Sequence, residues 1–89
     1  MIRRTSHFSG RVQGVGFRYT VVDLARGFDV RGYVRNLPDG RVELVAEGNA
    51  AEIDGLLERI GERMEGFIKR VDLQESPATN QFDRFSIKH

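Results

Sequence analysis

Residues 10–18 read GRVQGVGFR and stand between a short apolar strand and a predicted helix. The three glycines of this run can adopt positive φ angles, so that consecutive backbone N–H groups turn inward and form a concave anion site. The helix that starts near Phe17 directs the positive end of its dipole, about half an elementary charge, at the same place. Arg18 adds a cation. The run therefore predicts a binding site for a phosphoryl group.

Apolar patterns on either side of this run predict five strands and two helices with short connections. The predicted ranges are strand 3–9, helix 17–26, strands 29–36 and 41–47 joined by a turn at 37–40, helix 49–66, strand 69–74, loop 75–81 and a short strand at 85–87. Asn49 and Glu52 have the spacing of a capping box at the start of the second helix. The order βαββαβ plus a last strand predicts an α/β (α+β) sandwich with two helices on one face of a mostly antiparallel sheet.

This order of elements predicts that three distant groups meet at one edge of the sheet. A strand-helix-strand crossover is right-handed in nearly all proteins and leaves its two strands parallel. That edge then holds three groups: Gly10 at the end of the first strand, Arg18 at the start of the helix and Asn36 at the end of the second strand. Asn36 also has the strand parity of Val34, so its carboxamide is expected on the face that the helices cover.

The composition limits the kind of protein this is. With 89 residues, 39% hydrophobic and 30% charged, the chain suits one globular domain, residues 1–89, without a segment that could span a membrane. A net charge of +1 leaves no large basic face for nucleic acid. The absence of cysteine excludes thiol catalysis and Cys-based metal sites and, with an N-terminus that lacks the apolar part of a signal peptide, favours the cytoplasm. We expect a monomer without nucleic-acid or membrane partners.

Three segments of the chain resemble the acylphosphatase family. They are GRVQGVGFR at residues 10–18, GYVRNLPDGRVE at 32–43 and the closing FSIKH at 85–89, and the resemblance covers essentially the whole chain. This family hydrolyses the carboxyl-phosphate anhydride of acyl phosphates. The resemblance implies a ferredoxin-like sandwich in which Arg18 and the loop amides bind the phosphate while the side chain of Asn36 holds the attacking water. Acetyl, carbamoyl and glyceroyl phosphates are the substrates it suggests.

The residues at this site suit such a reaction. Phosphoryl transfer passes through a loose transition state, so positioning and electrostatics supply most of the catalysis, and the leaving carboxylate needs no strong acid. We predict Arg18 and Asn36 as catalytic residues, with no metal, cofactor or covalent intermediate, and inorganic phosphate as product and competitive inhibitor. The predicted phosphate-binding residues are Val12, Gln13, Gly14, Val15, Gly16 and Arg18.

Each of these residues taken singly has a plainer interpretation. Arg18 alone is typical of a solvated helix residue, and Asn36 alone suits a strand end beside a turn. The glycine run does not match a dinucleotide motif, because Tyr19 stands where the third glycine would be, and it lacks the end of a P-loop. Nothing in the sequence orients His7 or His89 as a base, and a structural role is expected for His7. Tyr19 is expected to pack, and its alternative position is the mouth of the pocket.

A different class of function remains open. Arg31, Tyr33 and Arg35 form a basic and aromatic row on the sheet face away from the helices, and RNA-recognition modules of this architecture stack bases on such aromatics. Glu43 and Glu47 on the neighbouring strand offset the row. A carbamoyl-phosphate domain of a hydrogenase-maturation factor is a third interpretation, which would need a much longer chain.

Overall fold

The computed structural model describes all residues, Met1–His89, as two helices and five strands. The elements are β1 Ile2–Gly10, α1 Phe17–Ala25, β2 Val30–Asn36, β3 Val42–Gly48, α2 Ala50–Arg63, β4 Ile68–Pro77 and β5 Phe85–Ile87. Neither helix is both long and apolar enough to cross a bilayer.

The five strands form one sheet in the order β4-β1-β3-β2-β5. All neighbours are antiparallel except β2 and β5, which are parallel. Since β1 and β2 both run antiparallel to the central β3, they are parallel to each other, as the crossover rule requires. The predicted ferredoxin-like sandwich is confirmed.

The core lies between one face of the sheet and the two helices. Apolar side chains spaced by three or four residues line the inner face of each helix, as Phe17 and Val21 do in α1 and Ile53, Leu56 and Ile60 do in α2. These side chains are fully buried, or nearly so, against the inward-facing residues of the strands. Burial of each large apolar side chain contributes about 1.5–3 kcal/mol, which fixes the helices on this face.

The start of α2 differs from its prediction. Asn49 is the N-cap residue, but its side chain makes no capping hydrogen bond. The Glu52 carboxylate instead accepts a hydrogen bond from the backbone N–H of Asp29, at 2.7 Å. The capping-box prediction was wrong because Glu52 bonds the chain before β2, a partner that is distant in sequence. The helix also ends at Arg63, with Met64 as C-cap, rather than at Gly66.

Strand β4 is longer than predicted. It runs from Ile68 to Pro77, so the first part of the predicted loop 75–81 is strand. The added residues pair with the beginning of β1, where Arg4 lies opposite Glu75 and Ile2 opposite Pro77. Polar composition suggested a loop here, but an edge strand with only one neighbour tolerates polar side chains on its exposed positions.

The connection from β4 to β5 is held on the open face of the sheet by Glu47. The Glu47 carboxylate accepts hydrogen bonds from Arg3 Nε at 2.8 Å, from the Thr79 N–H and hydroxyl at 2.9 Å each, and from the Asn80 N–H at 2.9 Å. Burial by itself raises the pKa of a carboxyl, but these donors outweigh it and hold the pKa of Glu47 at about 2. Ionised Glu47 thus ties residues 79 and 80 to β3.

We expect Glu47→Gln to lower the free energy of unfolding near neutral pH by about 2–3 kcal/mol. The folded-state pKa lies below the ordinary 4.5, so this stabilisation is present above about pH 4.5 and is lost as the pH falls towards 2. Urea unfolding over that range measures it, with the exposed Glu65→Gln as control. If the free energy of unfolding fell equally steeply with pH in Glu47→Gln and in the unchanged chain, ionised Glu47 would not be the source of this stabilisation.

The centre of β2 requires a glycine. Gly32 has φ +145°, and a Cβ there would collide with the backbone carbonyl oxygen of Val45 on β3. We expect Gly32→Ala to destabilise the fold by at least about 2 kcal/mol. Gly61→Ala in α2, where a Cβ meets nothing within 4 Å, should stabilise it by about 0.5–1 kcal/mol. Thermal unfolding compares the two variants, and equal melting temperatures would refute the steric argument.

Candidate active site

The loop between β1 and α1 has the backbone that its glycines predict. Gly14 has φ +75° and Gly16, the N-cap of α1, has φ +78° and ψ 17°, both in the left-handed region. A Cβ at either position would meet nothing within 4 Å. A side chain would therefore fit at either position. Glycine is favoured by the left-handed backbone conformation, which costs other L-residues about 1–2 kcal/mol.

This loop presents backbone donors that the chain itself does not use. The N–H groups of residues 12–16 donate to no backbone carbonyl. The N-terminus of α1 adds to them, because it has no side-chain cap and the first N–H groups of any helix lack intrahelical partners. Together with the helix dipole, these donors favour an anion at the loop.

Beside these donors lies a cavity of about 200 Å³. Its lining consists of Val12, Gly14, Gly16, Phe17, Arg18, Tyr19 and Asn36. The lining contains one cationic side chain and no carboxylate, and Arg18 takes part in none of the chain's ion pairs. A guanidinium that no carboxylate neutralises is free to bind an anion through two parallel hydrogen bonds, in bidentate geometry.

Asn36 reaches the cavity from the last position of β2. Its Oδ1 atom is buried and has no hydrogen-bond partner in the chain. An unpaired buried acceptor costs about 1–3 kcal/mol, so a donor from a water or a ligand in the cavity would stabilise this arrangement. The carboxamide and the Arg18 guanidinium thus border the same small space, as the parity of β2 and the crossover from β1 predict.

The structure divides the predicted phosphate-binding residues into two groups. Val12, Gly14, Gly16 and Arg18 line the cavity, whereas Gln13 and Val15 do not. The side chain of Val15 packs against the core. These two residues can offer only their backbone N–H groups, since their side chains are directed elsewhere.

The side chain of Gln13 joins the two halves of the site. Its Nε2 donates to the backbone carbonyls of Leu37, at 2.8 Å, and Arg41, at 2.9 Å, on either side of the turn that follows Asn36. The loop that carries the amides is thereby fixed to the strand that carries the carboxamide. Sequence reasoning missed this role, because backbone carbonyls are acceptors at every position and give no sequence signal.

We expect Gln13→Glu to destabilise the protein by about 1–3 kcal/mol, because a carboxylate offers no donor to the two carbonyl oxygens and leaves them unpaired. Gln13→Ala should lie between Gln13→Glu and the unchanged chain, since it brings no repelling charge. Urea unfolding at neutral pH measures the differences, and Gln81→Glu, at an exposed position, is the matched control. If Gln13→Glu were as stable as the control, the two hydrogen bonds from Gln13 Nε2 would contribute nothing to the stability of the fold.

Two side chains have surroundings that the sequence did not indicate. Tyr19 does not pack in the core, since it is 71% exposed and lies on the cavity lining. His7 does have an orienting partner, because its Nε2 lies 2.9 Å from Glu43 Oε2. Burial alone would raise the pKa of Glu43, but hydrogen bonds from His7, Tyr33 and Arg35 keep it below its usual value. Glu43 and its three hydrogen-bond partners all lie outside the lining of the cavity beside Arg18.

The open face of the sheet does not suit base stacking. The Tyr33 hydroxyl donates to Glu43 at 3.0 Å. Around its ring lie Lys88 Nζ, 4.7 Å from the centroid, the Arg35 guanidinium at 5.7 Å and the Phe82 ring at 5.8 Å. Because the chain's own side chains surround this aromatic ring, the RNA-binding alternative is not favoured.

Comparison with known proteins identifies a family that covers nearly the whole chain. The family model described as Acylphosphatase matches residues 5–87. An acylphosphatase of Paenarthrobacter aurescens is 46% identical over 97% of this chain and 93% of its own, and one of Marinobacter nauticus is 45% identical over 91% and 89%. The crystal structure of an acylphosphatase from Bacillus subtilis superposes with a TM-score of 0.89 at 33% identity, over the full length of both chains.

Proposed function

Because the chain belongs to the acylphosphatase family and hydrolyses acyl phosphates, we propose that Arg18, Asn36 and the loop amides perform this hydrolysis. The loop amides are the backbone N–H groups of residues 12–16. Each of the three components binds a different part of the reacting complex. The combination of the unpaired Arg18 guanidinium with the unpartnered Asn36 Oδ1 on one cavity is the observation that carries the proposal.

Arg18 and the loop amides hold the phosphoryl group. In the transition state, negative charge spreads over the three equatorial oxygens of phosphorus. The planar guanidinium of Arg18 grips two of these oxygens, and the loop amides and the N-terminus of α1 donate to the remaining charge. No carboxylate in the lining weakens this attraction.

Asn36 positions the water. Its Oδ1 accepts a hydrogen bond from the water, which directs a lone pair of the water oxygen at phosphorus, in line with the acyl oxygen. As the new P–O bond forms, the bond from phosphorus to the acyl oxygen breaks, and the carboxylate leaves with the electron pair. The water proton passes to the phosphate or to solvent, because a carboxamide is not a base at neutral pH.

We expect Arg18→Lys to lower kcat by about 10²- to 10³-fold, since a lysine keeps the charge but loses the two parallel hydrogen bonds. Binding of inorganic phosphate should weaken as well. Asn36→Ala should lower kcat by a similar factor but leave phosphate binding nearly unchanged, because Asn36 binds the water. Steady-state kinetics with a model acyl phosphate and inhibition by inorganic phosphate separate the two roles.

Arg11→Lys is the control for these variants, because Arg11 is exposed in the same loop and lies outside the cavity lining. It should keep the kinetics of the unchanged chain. Circular dichroism checks that every variant is folded. Near-normal turnover in folded Arg18→Lys or Asn36→Ala would remove that residue from the mechanism.

We expect activity to be flat between about pH 6 and 8, because neither a guanidinium nor a carboxamide titrates there. Activity should also be insensitive to a chelator, since the proposed steps use no metal. Rates measured across this range, with and without a chelator, test both statements. A rate controlled by an enzyme group with a pKa near 7, or loss of activity on chelation, would contradict the mechanism.

A further inference from the structure

The acyl half of the substrate has no partner among the groups that act on the phosphoryl group and the water. In the proposed mechanism Arg18 binds phosphate oxygens and Asn36 binds the water, and two further residues of the cavity lining, Gly14 and Gly16, have no side chains. The cavity measures about 200 Å³, whereas pockets that enclose an organic ligand measure about 300–1,000 Å³. A large acyl group therefore extends from the cavity to its mouth.

Three lining residues remain, and two of them belong to the core. Val12 and Phe17 are each 1% exposed and are part of the hydrophobic core. The ring of Phe17 packs against that of Phe8, with 5.1 Å between the centroids. Tyr19, in contrast, is 71% exposed. It is therefore the lining residue whose side chain is available to an acyl group at the mouth of the cavity.

The position of Tyr19 in α1 directs its ring towards the phosphate-binding loop. Tyr19 is the third residue of the helix and follows Arg18 directly. The Cα–Cβ bonds of a helix tilt towards its N-terminus, so a side chain in the first turn leans over the loop that precedes the helix. The ring and the loop amides thus lie at the same end of α1.

No other ring or cation of the chain packs on Tyr19. Neither of the two aromatic pairs and none of the three cation–π contacts includes it. The other tyrosine differs, since Lys88, Arg35 and Phe82 surround the ring of Tyr33. A single exposed aromatic side chain is common on protein surfaces. One that borders a ligand cavity offers a free apolar surface to the ligand.

In-line attack places the acyl group on the side of phosphorus away from Asn36. The water that Asn36 holds approaches phosphorus from one side, so the acyl oxygen departs on the opposite side. The carboxylate must then reach solvent. Tyr19 is the exposed side chain of the cavity lining, so its ring borders the route by which the carboxylate leaves.

We propose that Tyr19 is a specificity-determining residue, whose ring contacts the acyl group of the substrate and favours flat, apolar acyl groups over acetyl. This inference rests on the proposed hydrolysis at Arg18 and Asn36, since it gives that site its acyl specificity. Contact between two flat apolar surfaces favours binding by about 3- to 10-fold. The contact is the same before and during cleavage of the P–O bond, so it strengthens substrate binding without changing the rate of bond breaking.

Steady-state kinetics of Tyr19→Ala with benzoyl phosphate and acetyl phosphate test the proposal. The KM for benzoyl phosphate should rise about 3- to 10-fold more than the KM for acetyl phosphate, while kcat for benzoyl phosphate stays close to that of the unchanged chain. Tyr19→Phe keeps the ring, so it should keep the preference for benzoyl phosphate. Both variants should fold, because the side chain is exposed and alanine is a good helix former. Circular dichroism checks this.

Inorganic phosphate is the internal control, because it occupies the phosphate site and has no acyl group. Its inhibition constant should be nearly the same in Tyr19→Ala and in the unchanged chain. Leu73→Ala is the matched control variant, since Leu73 is another large apolar side chain that is 55% exposed and lies outside the cavity lining. It should keep the substrate preference of the unchanged chain.

An equal rise of both KM values in Tyr19→Ala would overturn the proposal, and so would phosphate inhibition weakened as much as benzoyl phosphate binding, because Tyr19 would then only support the shape of the site. Loss of the preference in Tyr19→Phe as complete as in Tyr19→Ala would also overturn it, since the hydroxyl group would then be responsible. If the unchanged chain hydrolysed neither substrate, the proposed function itself would fail. Hydrolysis of both, with no effect of Tyr19→Ala on the preference, would overturn this inference alone.

Discussion

The position of β3 between β1 and β2 is the constraint on which the site depends. Because β3 is antiparallel to both, the ends of β1 and β2 emerge at the same edge of the sheet. The loop before α1 and the Asn36 carboxamide then meet without being close in sequence. Gln13 completes this arrangement with its two hydrogen bonds to the turn between β2 and β3. The sheet topology and the Gln13 side chain thus fix the position of the Asn36 strand relative to the loop before α1.

Charges are distributed differently over the two faces of the sheet. On the open face, Glu43 and Glu47 are each surrounded by donors, and their pKa values are lowered although burial alone would raise them. At the cavity, Arg18 and Asn36 Oδ1 have no such partners. Satisfied polar groups stabilise the fold, whereas unsatisfied groups at a cavity are available for a ligand. The polar groups that remain available to a ligand therefore lie beside the loop amides.

Much of the fold followed from local patterns in the sequence. The glycine run, the apolar stripes of both helices and the Leu37–Gly40 turn predicted the order of elements, and the handedness of crossovers placed Arg18 and Asn36 together. Three of the differences concern groups whose partners are far apart in sequence. Glu52 bonds Asp29 rather than Asn49, His7 meets Glu43, and the polar end of β4 is strand because β1 is available to pair with it. Propensity and spacing carry no information about such partners.

The sheet order also has a kinetic consequence. Strand β1 is made first, but one of its neighbours, β4, is encoded near the other end of the chain, so that Ile2 must find Pro77. Closing so long a loop is entropically expensive, and folds dominated by distant pairings reach the native state slowly. During synthesis one side of β1 stays unpaired until residues 68–77 leave the ribosome. The nascent chain is then most exposed to aggregation, although every residue that lines the cavity beside Arg18 has already been made.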